Sequence, residues 1–171
     1  MKLRIKEITV FAMLGALLFA LKKVMEFAPN IHLVGVFIIA MTVVYRKKAL
    51  YPLYIYVFLD GLFGGFSTWW VPYTYIWTIL WGVTMLLPKN MNPKIQPFIY
   101  MVVCSLHGFL YGILYSPFQA LLFNLDVKGT IAWIVAGFPF DIIHGISNFI
   151  CGVLICPIIA VLRRVYLDKN V

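Results

Sequence analysis

Long apolar runs, each closed by a short basic cluster, most constrain what this chain can fold into. One follows Lys2-Leu-Arg-Ile-Lys6, continues to Leu21 and stops at Lys22-Lys23; another stops at Arg46-Lys47-Lys48. The runs are continuous and lack the every-second-residue alternation of a membrane strand, so they read as helical bilayer spans of about 20 residues each. Composition agrees: 63% of residues are hydrophobic and 12% charged, against about a quarter charged in an ordinary soluble domain. The expected class is an all-α integral membrane protein.

Six spans are expected, at about 7–27, 31–45, 49–66, 73–88, 97–116 and 139–162, forming a single six-helix membrane domain over 1–171. The first run is retained as a helix because it lacks a small-x-small cleavage site and further spans follow. Pro52 is tolerable in a first helical turn, and Pro88 ends the fourth span. Pro117, the polar run Asn124 to Gly129 and Gly137 interrupt 117–138, which reads as a re-entrant or surface loop with short helical pieces. Six spans put both termini on one side. Lys2, Arg4, Lys6, Arg46, Lys47, Lys48, Lys89, Lys94, Arg163, Arg164 and Lys169 lie there, 11 of the 14 basic residues, and the opposite loops hold only Lys128. The positive-inside rule therefore makes both termini cytoplasmic in a multi-pass protein of the cell membrane. Lys22 and Lys23 are the exceptions, near the outer end of the first span.

With this topology, the polar residues of the spans gather in the outer half. From Pro139 onward, Asp141, His144 and Asn148 fall within a roughly 60° arc of a helix, one polar stripe on an oily cylinder. On the fifth span Tyr100, Cys104, His107, Tyr111 and Tyr115 share a face about 80° wide. Asp60, Tyr73, Tyr75, Trp77 and Thr78 add to them, with Trp69 and Trp70 just above. Ionisable groups inside a bilayer are costly and normally face a bundle interior or a water-filled cavity, so an outward-facing ligand cavity is expected. Other roles stay open. Trp69, Trp70 and Tyr73 suit an interfacial belt, Asp141 suits a helix cap, and the histidines suit interhelical glue. Lys22 and Glu26 are spaced as an i,i+4 pair, and Asp60 is placed either for a buried pair with Lys22 or Lys23 or for a ligand contact.

Several classes find little support. The bases sit in short clusters between apolar runs, not along a face, so nucleic acid is not expected as a partner. Cys104, Cys151 and Cys156 form no Cys-x-x-Cys or paired framework. No H-E-x-x-H or other tight ligand spacing marks a metal site, and no phosphate-binding loop marks an ATPase; neither cofactor nor metal is expected. Gly145-Ile-Ser147 lacks the second glycine of a nucleophile elbow, and Ser147 projects about 100° from Asn148, off the stripe. A small intramembrane enzyme using His107, Asp141 and His144 is the alternative function. The halves share no spacing of Gly, Pro or charge, which argues against an inverted-repeat carrier.

Ala12-x-x-x-Ala16-x-x-x-Ala20, with Gly15 alongside, forms a small-residue stripe on which another helix can approach closely. Together with the chain's size, the Trp69-Trp70 loop and Pro139-Phe-Asp-Ile-Ile-His-Gly-Ile-Ser-Asn148, it resembles an S component, the substrate-binding membrane subunit of an energy-coupling factor (ECF) vitamin transporter. The resemblance spans nearly the whole chain and implies a non-enzymatic subunit that captures a vitamin or precursor from outside under a loop lid. Ala12, Ala16 and Ala20 would dock on a transmembrane coupling protein driven by two cytoplasmic ATPase subunits. The implied substrate-binding residues are Asp60, Trp69, Tyr73, Trp77, His107, Tyr111, Tyr115, Asp141, His144 and Asn148. An aromatic pocket with a few directional polar groups suits a flat heterocycle; at family level the resemblance favours hydroxymethylpyrimidine or a pyridoxine-like compound.

Overall fold

A computed structural model describes residues 3–167 and leaves Lys2 and Lys169 of the charge count outside the described residues. Among the described residues every regular element is helical. Helix α1 (Ile5–Val24) starts where the Arg4 N–H donates to Glu7 Oε2 at 3.0 Å. Helix α2 (Val34–Tyr45) is apolar all round and buried on nearly every side, as a central helix must be. At Arg46, φ 53 turns the chain into a short 3-10 segment, Arg46–Ala49, and then α3 (Leu50–Gly64). Arg46 Nη2 donates to Met85 O, and Trp81 Nε1 donates to Arg46 O, which holds the turn against α4 (Tyr73–Leu86). The α3–α4 connector folds back through Trp70, whose Nε1 donates to Val57 O at 2.7 Å.

The second half departs from the expected spans. Helix α5 (Gln96–Phe109) passes almost without a break through Leu110 into α6 (Tyr111–Phe123), giving one 28-residue rod. Three residues later α7 (Val127–Cys151) begins and runs through Gly137 and Pro139. A 3-10 turn, Gly152–Leu154, joins it to α8 (Ile155–Leu167), and the rod covers 40 residues to Tyr166. These two rods are long and apolar enough to cross a membrane. The expectation of a broken loop over 117–138, with a last helix starting at Pro139, is therefore corrected. Ser116 Oγ donates to Ile113 O at 2.9 Å, the carbonyl that Pro117 leaves unpaired by lacking an N–H. The polar run is punctuation: Asn124 adopts the left-handed conformation (φ 50) that ends α6, and Asp126 caps α7 by accepting the Gly129 N–H at 2.7 Å.

Close approach sets the packing. A Cβ on Gly15 would lie 2.5 Å from Ile55, so α1 lies directly on α3. A Cβ on Gly108 would lie 2.9 Å from the Gly145 backbone, so α5 and α7 touch main chain to main chain. Buried ion pairs mark the two ends. At one, Glu7 accepts from Lys48, with Tyr166 3.5 Å away. At the other, Lys22 meets Asp60 at 2.6 Å. The chain therefore runs from the Glu7 end to the Lys22 end along α1, returns to the Glu7 end by Lys48, goes back along α3 to Asp60, and finishes at the Glu7 end with Tyr166.

Candidate functional site

At the Lys22–Asp60 end, a polar cavity of about 200 Å³ opens beneath the α1–α2 connector. Lys22 from the end of α1, Glu26 and His32 from the connector, Tyr73 from α4, Tyr111 from α6 and His144 from α7 all line it. Pro29 and Asn30 shape the connector: Asn30 takes a positive φ of 64, a conformation asparagine tolerates. Ser147 fastens it, its Oγ donating to Asn30 O at 2.9 Å. Ser147 is thus buried and structural, consistent with its place off the polar stripe.

Behind the cavity wall lies a continuous aromatic and imidazole cluster. Trp77, 1% exposed, lies 5.4 Å from His107, 5.9 Å from His32, 5.9 Å from Tyr111 and 5.9 Å from Tyr73, centroid to centroid. His32 and His144 are 4.7 Å apart, and Tyr111 is 5.0 Å from His144. Tyr115 extends the cluster at 6.0 Å from Tyr111, stacks on Trp133, and donates its hydroxyl to Trp69 O at 2.8 Å. Of the expected site residues, Tyr73, Trp77, His107, Tyr111, Tyr115 and His144 are therefore brought together.

This cluster holds buried hydrogen-bonding atoms without protein partners, His32 Nδ1, Tyr56 Oη, Trp77 Nε1, His107 Nδ1 and His144 Nε2, and Asn148 Oδ1 on α7 is another; His32 and His144 are the ones that also line the cavity. Such groups are rare because each costs about 1–3 kcal/mol when left unpaired. They carry both polarities. The indole N–H only donates and the amide oxygen only accepts, while each free imidazole nitrogen does either. His107 Nε2 lies 3.2 Å from Ile76 O; with the proton on that nitrogen, Nδ1 is an acceptor. Asn148 is anchored through Nδ2 to Cys104 O at 3.2 Å.

The remaining expected residues stand elsewhere. Asp60, 0% exposed, is the lysine partner, its two carboxylate oxygens 2.7 and 2.6 Å from Lys22 Nζ. Trp69 and Tyr73 add their ring faces to the same ammonium at 5.5 and 5.2 Å, a cation–π arrangement. The expected Lys22–Glu26 pairing gives way to Lys23–Glu26 at 2.7 Å, because Lys22 is drawn to the buried carboxylate. Asp141 sits mid-helix in α7, not at a helix start, and both its oxygens accept the Gly112 N–H at 3.0 and 3.1 Å. It caps α6 across the helix interface, where a side chain on Gly112 would collide with it. Among the described residues no three His, Cys, Asp or Glu side chains converge to hold a metal ion.

Sequence reasoning missed His32, and it left Lys22 and Glu26 outside the site. The expected second span, about 31–45, took in His32, whereas α2 starts at Val34 and leaves His32 in the connector after Pro29 and Asn30; Lys22 already stood out as a base at the wrong end. In the connector, burial first and the Lys22 ammonium second hold the His32 imidazole below its ordinary value, at about 4, so it is neutral at pH 7. Larger hollows on the flanks, such as one of about 680 Å³ along Leu50, Tyr54 and Phe58, are lined mainly by apolar side chains. The arrangement can hold a small planar molecule by ring contact and mixed hydrogen bonding. The sequence matches no protein-family model, and comparison with curated proteins and with solved structures likewise found no match.

Proposed function

We propose that this chain is a six-span protein of the cell membrane that binds a small vitamin or precursor from outside, as the S component of an ATP-driven ECF importer. The observation that carries the reading is a polar cavity walled by Tyr73, Tyr111, His32 and His144, with an unpartnered ring nitrogen on each histidine and further unpartnered polar atoms in the cluster behind it. A bilayer-embedded protein retains such groups where a ligand or water satisfies them. Cavity size supports a one-ring compound: about 200 Å³ is below the roughly 300–1,000 Å³ of pockets for drug-sized ligands. Hydroxymethylpyrimidine or a pyridoxine-like heterocycle fits this scale better than folate or riboflavin. The cavity's distance from the basic clusters around Arg46 and Arg164 supports an outward opening with both termini in the cytoplasm.

Ala12, Ala16 and Ala20 are exposed along α1, which suits docking on a membrane coupling protein that two cytoplasmic ATPases drive. Native mass spectrometry and tryptophan quenching of the purified chain against a vitamin panel test the reading. One compound bound per chain without turnover is the expected result. If no compound binds and no ATPase pair co-purifies, the reading is abandoned; turnover of a bound compound would instead favour the enzyme alternative with His107, Asp141 and His144. Ala16→Trp is expected to spare ligand binding and abolish uptake, so unimpaired uptake would remove the docking assignment.

A further inference from the structure

A lysine at a cavity wall, flanked by two aromatic faces, would by itself be a receptor for an anion. Here that charge is already spent. Two of the three ammonium donors of Lys22 are engaged by the two oxygens of Asp60, a carboxylate with 0% exposure. The neighbouring cation, Lys23, is held by Glu26, and Glu26 itself lines the cavity. The charges near the cavity therefore cancel in pairs, Lys22 with Asp60 and Lys23 with Glu26. His32, neutral at pH 7, adds no positive charge. What remains unpaired on the lining itself is one ring nitrogen on each of two imidazoles, His32 Nδ1 and His144 Nε2, and a neutral imidazole nitrogen either donates or accepts according to its tautomer.

Resting on the uptake reading, we infer that the site selects by charge: it takes the uncharged form of a one-ring heterocycle over its carboxylated or phosphorylated counterpart, and Asp60 sets this preference. An anion entering the cavity would meet Glu26 and would have to share Lys22 with Asp60, leaving a buried carboxylate undercompensated. Stripping partners from a buried charge is costly. A neutral ring bearing both a donor and an acceptor meets no such penalty and can pair with the free imidazole nitrogens of His32 and His144.

The test uses the purified full chain and matched pairs differing in charge: nicotinamide and nicotinate, uracil and orotate, pyridoxine and its 5′-phosphate, hydroxymethylpyrimidine and its monophosphate. For any pair that binds, the neutral member is expected to be tighter by about tenfold or more. Asp60→Asn, which frees the Lys22 charge, is expected to shrink or invert that ratio. An anionic member binding the native chain as tightly as its neutral partner overturns the charge inference and leaves the uptake reading standing. An unchanged ratio in a folded Asp60→Asn protein removes Asp60 from the assignment, and if that variant fails to fold the native pairs still decide the preference. Binding of neither member in every pair overturns the uptake reading and the inference with it.

Discussion

Adding one methyl group at Gly108 is expected to damage this protein, whereas the same change at Gly82 or Gly137 is expected to help it. A Cβ on Gly108 would sit 2.9 Å from Gly145 Cα, Gly145 N and Asn148 Nδ2. Carbon atoms pack at about 3.5–4.0 Å, so the new methyl would stand roughly 0.6–1.1 Å too close to the Gly145 α-carbon. Two of the three obstacles are backbone, and the third is tied to Cys104 O, so none can swing aside cheaply. Overpacking costs about 1–3 kcal/mol, and rigid neighbours point to the upper half of that range. Alanine's advantage over glycine inside a helix returns about 0.5–1 kcal/mol. The net loss is about 1–2.5 kcal/mol, and for a chain of this size each kcal/mol moves Tm by about 2–4 °C. Gly108→Ala should therefore unfold about 2–10 °C lower than native protein in the same detergent, followed by tryptophan fluorescence. Gly82 and Gly137 have no atom within 4 Å of an added Cβ, so their alanine variants gain only the helix term and should rise by about 1–4 °C. Gly108→Ala unfolding at or above the native temperature, or all three variants falling together, would refute backbone contact between α5 and α7.

Two further perturbations test the polar contacts by the same unfolding measurement. Lys22→Met strands the buried Asp60 carboxylate and is expected to cost about 3–5 kcal/mol, most of it recovered when Asp60→Leu is added; a double variant no better than the single one would contradict the pairing. Asp141→Ala removes both acceptors of the Gly112 N–H and should cost about 1–3 kcal/mol, more than Asp141→Asn, which keeps one oxygen. Equal stability of Asp141→Ala and native protein would show that the α6 cap carries no energy.

Sequence alone determined what depends on local periodicity and on solvent. Continuous apolar runs specify helices, and helical spacing puts Asp141, His144 and Asn148 on one side of a cylinder, the side that α7 buries. The shared face of His107, Tyr111 and Tyr115 was legible for the same reason. The expected loop over 117–138 is replaced by helix because Pro117 does not break α6, and the run from Asn124 interrupts the helices for three residues only. Proline is tolerated where a neighbouring Ser116 takes over the freed carbonyl, and Asn124 and Asp126 are cap residues that stop one helix and start another within three positions. Tertiary structure alone decided which polar group meets which. Lys22 could pair with Glu26 four residues on or with Asp60 on another helix, and sequence spacing favours the first; packing of α1 against α3 brings the second to 2.6 Å. Asp141 and His144 share a stripe yet part company, one bound to a helix N-terminus and the other facing the cavity. His32 joins the site because the connector folds over it. Those outcomes rest on contacts between residues far apart in the chain, which helical period does not encode.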